Sequence, residues 1–287
     1  MRNRLNDLYA RYNRREFVHP DPIEFLYRYE NSLDREIAGL VASSLAFGRV
    51  AQIHRSVSRV LDRMEEPAAF VRETPPRSIR KIFAGFRHRY ATGMEMAELL
   101  LGIRRAVREH GSLRACFVSG IGEEDETVLP GLNALAENLV GDSGGECNSL
   151  LPLPRRGSAC KRLNLYLRWM VRHDEVDPGG WDEVPPSRLI IPLDIHMYRA
   201  GLELGFTRRK SADLKTALEV TEGFRRICLE DPVRYDFAIT RSAIGQTRVS
   251  GLEHHAGEPG GSEQEDQDER KNRSGDDRRR TTDAIGR

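Results

Sequence analysis

Cysteine is scarce in this chain, and the four present (Cys116, Cys147, Cys160 and Cys228) form no C-x-x-C pair. Zinc and iron–sulfur centres draw on thiolates at short spacing, so the usual ligand sets are missing and buried free thiols in a reducing compartment are expected. Also missing is any run approaching the roughly 20 apolar residues that cross a bilayer. The opening stretch, MRNRLNDLYARYNRREF, lacks the apolar core of a secretory signal. A cytoplasmic monomer with no metal or other cofactor is the expectation. Charge of one sign is lacking too: 45 Lys and Arg stand against 44 Asp and Glu, +1 overall. An acidic halophile-like protein, a collagenous chain and a low-complexity chain are thereby excluded. At 287 residues the chain is also too long for a disulfide-stapled mini-protein.

One stretch lacks apolar residues almost entirely. Residues 246–287 carry 10 acids, 8 bases and only five apolar side chains. So little apolar surface does not offset the entropy of ordering a chain, and a disordered charged tail is expected there. It is read either as a natural extension or as the product of a shifted reading frame. Residues 1–245 then make up the folded part.

That part reads as all-α. Over 33–64, Ile37, Leu40, Val41 and Leu45 recur at helical spacing, and Ile53, Val57, Val60 and Leu61 repeat the pattern. Gly48 interrupts it, so two antiparallel helices joined at Ala46–Arg49 fit better than one rod. Further helices are expected at 22–30, 65–73, 77–85, 94–110, 112–118, 127–140, 158–173, 194–204, 211–227 and 231–241. A Gly-rich stretch within 141–150 marks a joint between two subdomains, and a Pro/Gly-rich excursion fills 174–188. No alternating β-branched stretch of useful length appears.

The chemistry points to 151–196. From Arg155 to Arg172 there are six bases and no acid. Pro154 and Gly157 make a turn, and a helix that starts directly after a turn presents unpaired N–H groups to an anion. Arg155, Arg156, Gly157, Ser158 and Arg162 are therefore candidates for holding a nucleic-acid backbone; the bland alternative is a solvated helix face. Lys161 falls in the first turn, where the helix dipole and Arg162 favour loss of its proton, as a nucleophilic amine requires. Asp194 opens the next amphipathic helix, either as a plain N-cap or as a carboxylate facing Lys161. An amine and a carboxylate together form and resolve a Schiff base at a sugar C1′. Arg208, Arg209 and Lys210 make a compact basic cluster, read as a backbone contact or an exposed loop. His196 either touches a phosphate or packs. Tyr166, Trp169 and Met170 fit core positions better than a stack for a flipped base, and Phe47 fits a buried turn aromatic better than a wedge in DNA.

These residues carry a resemblance. IIPLDIHMYRA resembles the Pro-Val-Asp-Thr-His-Val-x-Arg segment of helix-hairpin-helix DNA glycosylases, the superfamily of endonuclease III and 8-oxoguanine glycosylase. The resemblance implies that Asp194 is the catalytic carboxylate, Lys161 the nucleophile, and double-stranded DNA the partner. More closely, GSACKRLNLYLRWMVR, the stretch from PPSRLIIPLDIHMYRAG to VTEGFRR, and EDPVRYDFAITR are similar to a prokaryotic family, domain of unknown function 2400, over roughly 5–245. The expected fold is a DNA-glycosylase-like two-subdomain helical fold with a remodelled hairpin. Hairpins of the helix-hairpin-helix glycosylases usually carry Leu-Pro-Gly-Val-Gly where this chain has Leu151-Pro152-Leu153-Pro154-Arg155-Arg156-Gly157, and 33 positions separate Lys161 from Asp194. The expected function is base-excision DNA glycosylase activity, with lyase action through Lys161. The alternative is a non-catalytic nucleic-acid-binding protein of the same fold.

Overall fold

The break at Gly48 organises the centre of the molecule. Helix α2 (Ser32–Ser44) starts where the Asn31 side chain accepts from the amides of Leu33 and Asp34, and from Glu36 to Ser44 it is buried on all sides. A helix covered all round belongs at the centre of a fold, and α2 packs on the 3-10 helix Pro22–Arg28 and on α9 (Lys161–Val171). Gly48, at φ +100, turns the chain, and α3 (Val50–Leu61) then buries Ile53, Val57, Val60 and Leu61. The structure, a computed structural model, describes residues 1–141 and 148–243.

The described residues form one compact unit whose regular structure, one short hairpin aside, is helical. Before α2 comes α1 (Arg2–Tyr12), and after α3 come α4 (Pro67–Glu73) and α5 (Pro76–Phe83). Two short antiparallel strands, β1 (Arg87–His88) and β2 (Ala91–Thr92), make a hairpin on a two-residue turn. Thr92 and Glu95 form a reciprocal capping box that starts α6 (Gly93–His110). α7 (Leu113–Val118) and α8 (Leu129–Val140) follow and pack on α6. After α9, α10 (Ile195–Glu203) and α11 (Leu214–Arg225) are each capped by an aspartate, Asp194 and Asp213, and α12 occupies 236–243.

Several expectations shift at their edges. The segment near 22–30 is a 3-10 helix, the helix expected from 158 starts at Lys161, and the one expected from 231 starts at 236. Helix α1 and the hairpin were not expected. α1 buries only Leu5, and strands of two residues are too short for alternation to register. The tail expected over 246–287, most of the joint expected near 141–150, and Cys147 lie outside the described residues. Cys116, Cys160 and Cys228 are free thiols. Among the described residues no helix is long and apolar enough to cross a membrane, and no group of three ligating side chains is placed to hold a metal.

Candidate functional site

Lys161 and Arg168 stand seven positions apart on α9, two helical turns, and so share one face. Arg168 is buried, and its Nε lies 3.1 Å from Asp177 Oδ1 while Nη1 donates to Asp236 Oδ2. One turn on, Arg172 is equally buried, with Nε 2.9 Å from Asp231, Nη2 2.7 Å from Asp174 and Nη1 on Asp177. Tyr9 of α1 donates to Asp174 at 3.0 Å. Burial alone would favour neutral guanidines, but Asp177 and its neighbours outweigh it and hold both arginines charged. This network ties α9, the 174–177 turn, the 231 segment and α12 into one body. It also corrects the expectation of a continuous positive patch over 155–172. Arg168 and Arg172 face inward and are neutralised by acids that follow them in the chain.

The network places Asp236 at the first turn of α12. Burial pushes its carboxyl up to about 6, with Asp194 adding to the rise while Arg168 and Lys161 oppose it. Asp236 thus lies within electrostatic reach of both residues named in the sequence. Each of the three sits at a helix start: Lys161 begins α9, Asp194 is the N-cap of α10, and Asp236 begins α12. The Asp194 Oδ1 atom accepts from the amides of His196 and Met197, both at 2.9 Å, which fixes the carboxylate while leaving Oδ2 outside that cap. Lys161 Nζ donates to the Ala46 carbonyl at 3.4 Å, in the turn between α2 and α3. Among the described residues Lys161 and Asp194 make no direct ion pair.

Backbone strain precedes the lysine. Cys160 is held at φ 47, ψ 40, a left-handed conformation that costs an L residue on the order of 1 kcal/mol. Its thiol is buried, with Sγ 3.6 Å from the Pro152 carbonyl, and burial pushes it up to about 11. A protonated thiol does not compete with the neighbouring amine as a nucleophile.

The expected backbone-contact residues divide into groups. Arg155 pairs with Glu137 at 2.7 Å, Arg156 is exposed, and Gly157 adopts the left-handed conformation that closes a 3-10 turn over Pro154–Arg156. The Gly157 carbonyl accepts from Leu214 at 3.0 Å, and Ser158 bridges to Asp213. That contact brings the 155–158 turn beside the 208–213 segment. Arg209 is bound to Asp213 at 2.7 Å, whereas Arg208 and Lys210 are exposed. His196 is half-buried at the second position of α10. Arg162 points inward, donating to the carbonyls of Ser44 at 2.8 Å and Ser149 at 2.5 Å. Tyr166, Trp169 and Met170 are buried and belong to the core, as their spacing implied.

Residues 21–245 match the family described as protein of unknown function, DUF2400. The chain belongs to that family. No curated protein and no solved structure matches it. Asp236 of this DUF2400 chain lies in the EDPVRYDFAITR segment that carries the family likeness, but the sequence showed it only as part of a helix. Burial beside two cations is a property of three-dimensional packing, and no spacing rule marks it.

Proposed function

We propose that this chain binds double-stranded DNA and cleaves the N-glycosidic bond of a damaged nucleotide, with Lys161 as nucleophile. The supporting observation is the gathering of one amine and two carboxylates at the starts of α9, α10 and α12, with Asp236 sensing both Lys161 and Asp194. Lys161 Nζ gives up a proton and attacks C1′; the C1′–N bond breaks and the base leaves with that proton. The C1′–O4′ bond then opens, a second proton passing from the nitrogen to O4′, to leave a protonated imine between C1′ and the lysine. Asp194, held by the amides of α10, stabilises positive charge on the sugar and takes the proton. Asp236 is a second carboxylate able to hold or release a proton near neutral pH. Arg156, Arg208 and Lys210 are exposed and face no acid in an ion pair among the described residues, so they serve as backbone contacts. Arg155 and Arg209 do so after releasing Glu137 and Asp213.

Duplexes carrying an oxidised base or an abasic site test this reading. Expected are release of the base or strand nicking by the wild type, and loss of both in Asp194→Asn without loss of binding. Salt-sensitive binding with no product from any lesion supports instead the non-catalytic nucleic-acid-binding reading.

A further inference from the structure

Besides the stretch that holds Lys161, two further long stretches of the chain contain no acid. Between Glu36 and Asp62 stand Arg49, Arg55 and Arg59, and between Glu73 and Glu95 stand Arg77, Arg80, Lys81, Arg87 and Arg89. The fold packs these stretches together. His88 of β1 is buried against α3, with Nδ1 2.9 Å from Ser56 Oγ and Nε2–H donating to the Phe47 carbonyl at 2.9 Å. Burial lowers its pKa, so the ring is a neutral strut. Arg49, Arg55, Arg87 and Arg89 are left exposed, and of the five bases in the second stretch Arg80 is paired, with Glu98.

An aromatic surface sits among these cations. Tyr90, at the tip of the hairpin, is 58% exposed, and its ring stacks on Phe47 at 4.9 Å with 21° between planes. Phe47 is clamped from two further directions, by the edge of His88 at 4.6 Å and by the Arg162 guanidinium at 4.9 Å. Arg162 is itself fixed by the carbonyls of Ser44 and Ser149. The turn beneath is close-fitting: a Cβ on Gly48 would stand 2.8 Å from Arg89 Cδ. Next to Phe47, the Ala46 carbonyl accepts from Lys161 Nζ. An aromatic held in place, open to solvent and carried on the same hairpin as the exposed Arg87 and Arg89 matches what unstacked nucleobases and their flanking phosphates require.

We infer that the Phe47–Tyr90 stack is a platform for an unpaired nucleobase, with Arg87 and Arg89 on the adjoining phosphates. The inference rests on the nucleic-acid part of the reading above, not on the chemistry at Lys161. It deepens that reading by naming the form of DNA the surface selects: a duplex with one base out of the stack.

The test uses the full chain and two fluorescent duplexes, one fully matched and one carrying 2-aminopurine as a single-base bulge. The wild type is expected to prefer the bulged duplex and to quench its 2-aminopurine. Tyr90→Ala, a change at an exposed turn, lowers affinity for the bulge about tenfold and abolishes the quench, with the matched duplex within about twofold. Tyr90→Phe restores both. Arg87→Ala and Arg89→Ala weaken both duplexes alike, each reducing the salt slope by about 1. If Tyr90→Ala leaves preference and quench unchanged while the wild type binds, the platform is overturned and the DNA reading stands. A wild type that binds neither duplex overturns both. Poly-glutamate competing as well as the bulged duplex makes this a general polyanion surface and overturns the stacking role.

Discussion

Replacing Asp236 by asparagine tests whether the carboxylate that meets Arg168 is held in place against its own desolvation. Burial is the main reason its pKa rises to about 6, whereas a free aspartate titrates near 3.8. That gap corresponds to about 3 kcal/mol, at roughly 1.4 kcal/mol per pH unit. The folded chain holds this proton more tightly than the unfolded chain does. The penalty for ionising Asp236 is therefore absent below about pH 4, grows between about pH 4 and about pH 6, and is complete above that. Asparagine keeps the shape and still accepts the Arg168 hydrogen bond, but it carries no charge. The attraction of Arg168 is already contained in that pKa, and the guanidinium does not titrate in this range. The substitution otherwise adds only an offset that does not vary with pH, from exchanging a neutral carboxyl for an amide at the Arg168 hydrogen bond. Urea unfolding of wild type and Asp236→Asn between about pH 4 and about pH 8 should give a stability difference that moves in the variant's favour by about 3 kcal/mol as pH rises. A flat difference, or one moving against the variant, refutes the burial argument.

Other consequences follow from the same packing. Asp177 is fully buried and bound by both Arg168 and Arg172; Asp177→Asn leaves a buried cation under-paired and should cost about 3–5 kcal/mol by chemical denaturation. A loss below about 1 kcal/mol would mean that the network is not holding the fold. Gly102 of α6 sits where a Cβ would lie 2.2 Å from the Leu139 carbonyl oxygen of α8, so Gly102→Ala should destabilise by about 1–3 kcal/mol in a thermal melt. Asp194→Ala should lose about 1 kcal/mol of stability with the helix cap, while Asp194→Asn keeps the cap. Unfolding curves for the pair separate capping from chemistry: the asparagine variant is expected to be as stable as wild type and still unable to release a base.

The helical class was legible because apolar spacing sets it, and Gly48 marked the break between α2 and α3 through a backbone requirement that any sequence reader sees. Helix α1 was not legible. It buries one leucine, and what anchors it is polar, with Tyr9 on Asp174 and Asn6 accepting from Tyr235 at 2.7 Å. The basic run over 155–172 misled for a related reason. Charge counted along the chain assigns Arg168 and Arg172 to a patch, whereas a helix sends them to the face that meets Asp174, Asp177, Asp231 and Asp236. Lys161 and Asp194 were visible because each stands at a helix start beside a recognisable segment. Asp236 was not visible, because its altered proton affinity comes from burial. The Tyr90 hairpin had a sequence signal, the acid-free runs on either side of residues 62–73, but only packing shows that they form one surface.

The central claim is that the Lys161 amine forms a covalent bond to a sugar carbon. Borohydride reduction of the full chain with a duplex bearing an abasic site reads that bond directly, since it converts the imine to a stable amine. The expected result is a protein–DNA adduct that mass spectrometry maps to the peptide containing Lys161 and that is lost in Lys161→Ala. An adduct formed equally well by Lys161→Ala, or a chain that binds the duplex and forms none, would contradict the account.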